Sequence, residues 1–197
     1  MELHLYKKKR NFNQTPEPEG KVVSSKSKLS FVVQRHYASH LHYDFRLELD
    51  GVLKSWAVPK GPSLNPNDKR LALMVEDHPY DYKNFEGIIP EGNYGAGIVE
   101  IWDNGYFSDI DNSEKSVAEK KLMAGLNAGN LKFILDGKKL KGEFVLVKLK
   151  GRKENTWLLI KHKDKFAVTK SYNSEEYTSK NSTINKRLHA DQKTKNA

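Results

Sequence analysis

The sequence predicts a mainly β protein: a closed antiparallel β-barrel with one or two short helices and disordered polar ends. Three observations point there. Short apolar or alternating runs recur at close spacing through the middle of the 197 residues. Turn dipeptides separate them, and scarcely any stretch carries a helical period. The two ends lack the large aliphatic side chains that a core requires.

The elements follow in chain order. The first twelve residues are basic with no apolar run behind them, so they do not read as a secretory signal. Residues 11–27 are polar, with Pro16, Pro18 and Gly20, and look extended. Together residues 1–28 are expected to form a basic N-terminal arm. The barrel domain is expected over 29–170, with strands at 29–35, 42–49, 52–58, 71–76, 97–102, 131–135, 143–149 and 156–161. Asp50-Gly51 separates the second and third strands by two residues, a hairpin signal; Asn104-Gly105 and Asp136-Gly137 occupy similar positions. One helix is predicted, with Ser113 as cap, Val117, Leu122, Met123 and Leu126 near one face, and Gly125 and Gly129 ending it. Residues 171–197 are rich in Ser, Thr, Asn and Lys and read as a disordered basic tail.

Composition narrows the function classes. The absence of cysteine excludes a disulfide framework, a thiolate zinc site and a cysteine nucleophile. No run of 18 apolar residues is present, so no membrane helix is expected and the chain reads as soluble and cytoplasmic. The net charge of +9 sits entirely on the ends, +4 on residues 1–30 and +5 on residues 161–197. Such ends either attract a polyanion such as nucleic acid through counterion release or serve as solubilising tails.

The chemistry concentrates at Arg35-His36-Tyr37-Ala38-Ser39-His40-Leu41-His42-Tyr43-Asp44-Phe45-Arg46-Leu47-Glu48-Leu49. From His42 the alternation is strict, so His42, Asp44, Arg46 and Glu48 share one face, expected to be the wet one, and Tyr43, Phe45, Leu47 and Leu49 share the other. Two of three such side chains can meet on one metal ion while the next reaches an anion beside it. Two His and one Asp form a mixed N/O donor set suited to Mn²⁺, Fe²⁺ or Zn²⁺. A second polar cluster, Glu76-Asp77-His78-Pro79-Tyr80-Asp81-Tyr82, follows a predicted strand, and Lys60, Lys69 and Arg70 supply basic groups in loops. The stretch Pro90-Glu91-Gly92-Asn93-Tyr94-Gly95-Ala96-Gly97 lacks the Gly-Lys-Ser/Thr of a P-loop and reads as a tight loop entering the next strand.

The run His36-x5-His42-Tyr43-Asp44-Phe45-Arg46-Leu47-Glu48, then Gly51-Val52-Leu53-Lys54-Ser55-Trp56-Ala57-Val58-Pro59-Lys60-Gly61-Pro62-Ser63, resembles the 3′-phosphoesterase domain of bacterial and archaeal DNA ligase D. So do Val75-Glu76-Asp77-His78-Pro79 with Tyr82, and Phe85-Glu86-Gly87-x-Ile89-Pro90-Glu91-Gly92-x-Tyr94-Gly95-x-Gly97. The resemblance implies a manganese-preferring, metal-dependent β-barrel hydrolase of nonhomologous end joining. It would remove 3′-phosphates and trim 3′-terminal ribonucleosides from DNA or RNA–DNA ends.

By motif match, His36, His42 and Asp44 are expected to be metal ligands. Arg46, His78 and Tyr82 would hold the scissile phosphate, and Gln34, Lys60, Arg70 and Glu76 would support the pocket. Arg10-x-Phe12-x-x-Thr15-x-Glu17-Pro18 resembles the arm the family uses for nucleotide removal, which brings in Arg10 and Glu17. Two positions depart from the family. Asn11 stands where an Asp is usual, which predicts strong phosphatase activity and weaker ribonucleoside removal, and no role transfers to His40. Polymerase and ligase modules are not part of this chain, so the resemblance implies a stand-alone form working beside a separate ligase, polymerase and end-binding protein. The alternative readings are a non-catalytic module that binds nucleic-acid ends and a 2-His-1-carboxylate iron oxygenase, in which Arg46 would lack a purpose.

Overall fold

The structure is a computed structural model that describes residues 3–20, 22, 25, 27–153 and 155–195; the remaining positions of the expected arm and tail lie outside the described residues. In chain order the strands are β1 (Leu29–Tyr37), β2 (Leu41–Leu49), β3 (Val52–Val58), β4 (Arg70–Met74), β5 (His78–Pro79), β6 (Gly87–Ile89), β7 (Gly97–Ser108), β8 (Asn130–Gly137), β9 (Lys141–Lys148) and β10 (Thr156–Lys161). The helices are α1 (His4–Lys8), α2 (Lys115–Asn127) and α3 (Thr183–Lys195), with 3₁₀ turns at Tyr80–Asn84 and Ser174–Tyr177. Neighbouring strands run β1-β2-β3-β4-β10-β9-β8-β7, and β7 pairs back onto β1, so eight antiparallel strands close a barrel. These are the eight runs that the sequence marks out. The short β5 and β6 were not anticipated; they pair with β3 and β7 outside the closed ring.

Local chemistry sets the register around the site. Asp50 (φ 55°) and Gly51 (φ 73°) both take positive φ, as a two-residue hairpin turn of the primed type requires. That turn places Leu49 opposite Val52 and therefore Arg46 opposite Ser55. Asn104-Gly105, by contrast, makes no turn, and β7 runs straight through it. Gly105 is needed there because a Cβ would lie 2.2 Å from the carbonyl oxygen of Asp136 on β8.

Phe31, Val33, Phe45, Leu47, Leu49, Trp56, Phe133, Phe144, Leu146, Trp157 and Leu159 fill the barrel. Ala118, Leu122 and Leu126 of α2 join this core, and Glu119 accepts a hydrogen bond from the Asp50 amide at 2.9 Å, which sets α2 against the end of the barrel holding the β2–β3 turn. Ser113 does not cap α2: its amide and hydroxyl are turned to Asp109, at 2.7 and 2.9 Å, and Glu114 holds the cap position.

The expected disordered ends are corrected by the described residues. In the arm, Tyr6 of α1 is wholly buried against Leu53, Tyr82, Phe85, Ile89 and Val99, and its hydroxyl donates to the Pro18 carbonyl at 2.6 Å. In the tail, Glu175 accepts from Arg35 Nε at 2.9 Å, from Arg35 Nη2 and from the Tyr43 hydroxyl, while Trp102 Nε1 donates to the Ser174 carbonyl at 3.2 Å. Arg35 is itself buried, so losing Glu175 would leave its charge facing only Glu100 among the described residues, 4.0 Å from Nη1. Ile184 of α3 is buried as well. A handful of buried anchors hold these segments, and average composition does not report them.

Candidate metal and phosphate site

The site is built on the outer face of β1 and β2, the face turned away from the barrel core. Pairing across the two strands sets His36 opposite His42 and Gln34 opposite Asp44. Opposed residues on one face of an antiparallel pair bring their side chains together, and the two imidazole rings stand 4.7 Å apart between centroids. One donor atom from each of His36, His42 and Asp44 lies within 4.8 Å of the others.

The hydrogen bonds behind the rings fix what they present. His36 Nε2 lies 3.0 Å from the Gly95 carbonyl, and His42 Nδ1 lies 2.9 Å from the His40 carbonyl. A carbonyl only accepts, so each ring donates there and turns its other nitrogen inward. His36 Nδ1 is 3.5 Å from Asp44 Oδ2 and His42 Nε2 is 3.6 Å from Asp44 Oδ1. Two imidazole lone pairs and a carboxylate, each oriented from behind, suit a divalent transition ion. Burial alone would raise the Asp44 carboxyl, but the Arg46 guanidinium 2.9 Å away outweighs it and holds Asp44 well below the usual carboxylate range.

This face is not wet, contrary to the sequence reading. Arg46 is 2% exposed and Glu48 is fully buried. Arg46 is held on all sides: Nη2 donates to Asp44 at 2.9 Å, Nε to Gln34 at 2.7 Å and Nη1 to the Ser55 hydroxyl at 2.9 Å. Gln34 is anchored in turn by donating to the carbonyls of Tyr82 (3.0 Å) and Phe85 (2.8 Å). The guanidinium also lies 4.9 Å from the centroid of the Tyr82 ring. The cover comes from the arm, β5, β6 and the 3₁₀ turn Tyr80–Asn84, which carry the second polar cluster over the strands.

His78 reaches the site because β5 pairs with β3. Its Nδ1 is 2.9 Å from the Glu76 carbonyl, and its Nε2 is 3.0 Å from Arg10 Nη2. Arginine can only donate, so Nε2 is an acceptor and the ring is neutral. Burial, then the charges of Arg46 and Arg10, push its pKa well below the ordinary imidazole value. Arg10 also donates to Glu17 at 2.8 Å and to Glu76 at 3.1 Å. The Tyr82 hydroxyl donates to the same Glu17 oxygen at 2.9 Å, and burial followed by the nearby Glu17 charge keeps that phenol protonated. The other carboxylate oxygen of Glu17 is buried and has no hydrogen-bond partner among the described residues.

One cavity of about 170 Å³ is lined by Arg10, Glu17, His36, His42, Asp44, Arg46, Glu76, His78 and Tyr82. Gln34 stands behind Arg46. Lys60 and Arg70 are not brought in: Lys60 is exposed at the end of β3, and Arg70 donates to Asp68 at 2.9 Å and to the Tyr172 carbonyl at 2.7 Å. Asn11 is exposed, accepting from the Asn13 amide at 3.2 Å, and does not line the cavity; His40 contributes its backbone carbonyl. Ser55 and the Gly95 carbonyl were missed. The two-residue turn already places Ser55 opposite Arg46, so its role was available from register alone.

The outer face of a small barrel thus gathers a His-His-Asp donor set beside a fixed guanidinium. A family model for the DNA Ligase D 3′-phosphoesterase domain matches residues 34–148, and the chain belongs to that family. Among its relatives is the multifunctional non-homologous end joining protein LigD of Pseudomonas aeruginosa, 52% identical over 165 residues, 82% of this chain and 19% of that protein. The corresponding protein of Mycolicibacterium smegmatis is 39% identical over 82% of this chain and 21% of its own length. The LigD protein of Mycobacterium tuberculosis is 40% identical over 79% and 19% respectively. The chain thus spans about a fifth of the length of these relatives. Among the described residues no helix is long and apolar enough to cross a membrane.

Proposed function

We propose that this chain is a manganese-dependent phosphoesterase that heals 3′ ends of DNA or RNA–DNA strands for nonhomologous end joining. It removes terminal 3′-phosphates and 3′ ribonucleosides, and works beside a ligase, a polymerase and an end-binding protein. The observation that carries this reading is the convergence of His36, His42 and Asp44 with Arg46, His78 and Tyr82 on a single small cavity. A divalent ion held by the trio would polarise a phosphate oxygen as a Lewis acid. Arg46 is fixed by three partners before substrate arrives, so its charge faces the reacting phosphate without reorganisation.

His78 is a neutral acceptor in this arrangement, which argues for an orienting role and against its being the proton donor. Tyr82 retains its proton and can donate to a phosphate oxygen once it leaves Glu17. Glu17 lines the cavity and Asn11 is exposed outside it, which supports Glu17 as the carboxylate that would meet the sugar hydroxyl of a 3′ ribonucleoside, with no part for Asn11 in our reading.

The test is a primer–template ending in a 3′-phosphate, incubated with the protein and Mn²⁺ and again with EDTA. Phosphate release that EDTA abolishes supports the reading. Tight binding of the end with no release under any divalent ion supports a non-catalytic end-binding module instead.

A further inference from the structure

The cavity has room for a phosphate but not for the whole nucleotide that carries it. At about 170 Å³ it falls below the roughly 300 Å³ at the low end of pockets that enclose a whole drug-sized ligand. A phosphate and part of a sugar fill it, so the base of the terminal nucleotide remains outside, at the rim. The side chain waiting there is Tyr94, which lines the cavity yet is 47% exposed.

Tyr94 is positioned from two sides. It belongs to the loop between β6 and β7, where Gly92 (φ 83°) and Gly95 (φ 77°) take left-handed conformations and the Gly95 carbonyl accepts from the metal-site ring of His36. From the arm, Lys9 Nζ donates to the Tyr94 hydroxyl at 3.2 Å and to Glu76 at 3.0 Å, and lies 4.6 Å from the ring centroid. The guanidinium carbon of Arg10 is 5.4 Å from the same centroid. An exposed ring fixed by a loop and an arm has little rotational freedom left to lose when a planar partner settles on it. Exposed aromatics beside nucleic-acid sites act as stacking platforms that accept any base, because every base has a π-face.

We infer that Tyr94 is the platform on which the base of the 3′-terminal nucleotide stacks, so that the site recognises a nucleobase-bearing end and positions its phosphate in the cavity. This rests on the phosphoesterase reading above. Tyr94 is a positioning residue: it touches the base and leaves the reacting atoms to the cavity.

The experiment uses two primer–templates, both ending in a 3′-phosphate, one on a normal nucleoside and one on an abasic sugar. The full chain is assayed with Mn²⁺ as wild type, Tyr94→Ala and Tyr94→Phe. The wild type should process the base-bearing end with a kcat/KM roughly 5- to 100-fold higher than the abasic end, through KM. Tyr94→Ala should collapse that ratio toward one, and Tyr94→Phe should keep it. Three results would overturn the assignment: no preference in the wild type, an equal fall on both ends in Tyr94→Ala (which would make Tyr94 a support for the Gly95 loop and His36), or loss of the ratio in Tyr94→Phe. If the wild type releases phosphate from neither end with any divalent ion, the phosphoesterase reading falls and this inference falls with it.

Discussion

The two faces of β2 are almost equally buried and are buried for opposite reasons. Inward, Tyr43, Phe45, Leu47 and Leu49 are at most 2% exposed and satisfy themselves by packing against the barrel core. Outward, Asp44, Arg46 and Glu48 are at most 8% exposed, and each persists there only because hydrogen-bond partners surround it. Glu48, for example, accepts from the amides of Ser25 (2.7 Å) and Ser30 (2.8 Å). Well-packed hydrophobic residues of the same volume often serve stability as well as buried ion pairs do. Charge kept on this face under a dedicated cover fits the proposed metal and phosphate site.

Adjacent substitutions on the two faces should therefore fail in different ways. Phe45→Ala should cost about 3–5 kcal/mol of stability, with turnover per folded molecule retained. Asp44→Ala should reduce phosphate release to background and abolish any metal-induced rise in Tm, since an ion that binds only the native state stabilises it. Thermal melts with and without Mn²⁺, beside a phosphate-release assay, separate the two. If both variants merely unfold, the faces are not functionally distinct.

Arg46 sharpens the comparison, because it joins both kinds of role. Arg46→Ala removes the buried cation beside Asp44 and the donors to Gln34 and Ser55, and should cost about 3–5 kcal/mol as well as activity. Arg46→Lys keeps the charge but not the three-pronged hydrogen bonding, and kcat should fall about 100- to 1000-fold in a protein that still folds. Steady-state kinetics with denaturant melts would report this; near-wild-type kcat in the Lys variant would remove Arg46 from the phosphate.

The outer cover should also have an acid limit. The His78 pKa is lowered in the folded protein, so as the pH falls the unfolded chain takes up that proton first. The stabilising contribution is complete above the ordinary imidazole value of 6.5 and drains away as the pH falls below it toward the folded value. Between pH 6.5 and about pH 5, Tm should fall more steeply for wild type than for His78→Asn, which cannot titrate. Parallel curves would show that His78 is not held neutral by its surroundings.

The smallest effects belong to two residues near the site. The His40 carbonyl, not its side chain, holds His42, so His40→Ala should change kcat/KM by less than about twofold. Asn11 is exposed and off the cavity, so Asn11→Asp should leave both phosphate release and ribonucleoside trimming unaltered within the same margin. Faster trimming in Asn11→Asp would show that the arm shifts when a ribonucleotide binds.

Periodicity made the barrel legible. Alternation marked the eight strands, and it separated the faces of β2, because a strand's side-chain period is a local property. The metal trio followed from the same period together with a motif match. What alternation could not report was whether the polar face is wet. That depends on Arg10 meeting Glu76, on β5 pairing with β3 and on β6 pairing with β7, most of them contacts between segments far apart in sequence. The tail was obscured for a related reason: its anchors, Tyr172, Ser174, Glu175 and Ile184, are few among polar neighbours, so average composition resembles that of a disordered segment. Lys60 and Arg70 show the converse, since neighbouring a motif in sequence did not bring either into the cavity.

The central claim is that the outer face of β1 and β2 is kept polar and buried in order to hold a divalent ion. Isothermal titration of Mn²⁺ into wild type and into Asp44→Asn tests it most directly, because Asn keeps the shape of the carboxylate and removes its charge. The account predicts one saturable site in the wild type and its loss, or a weakening of at least tenfold, in the variant. Equal binding to both proteins, or none to either, would contradict it.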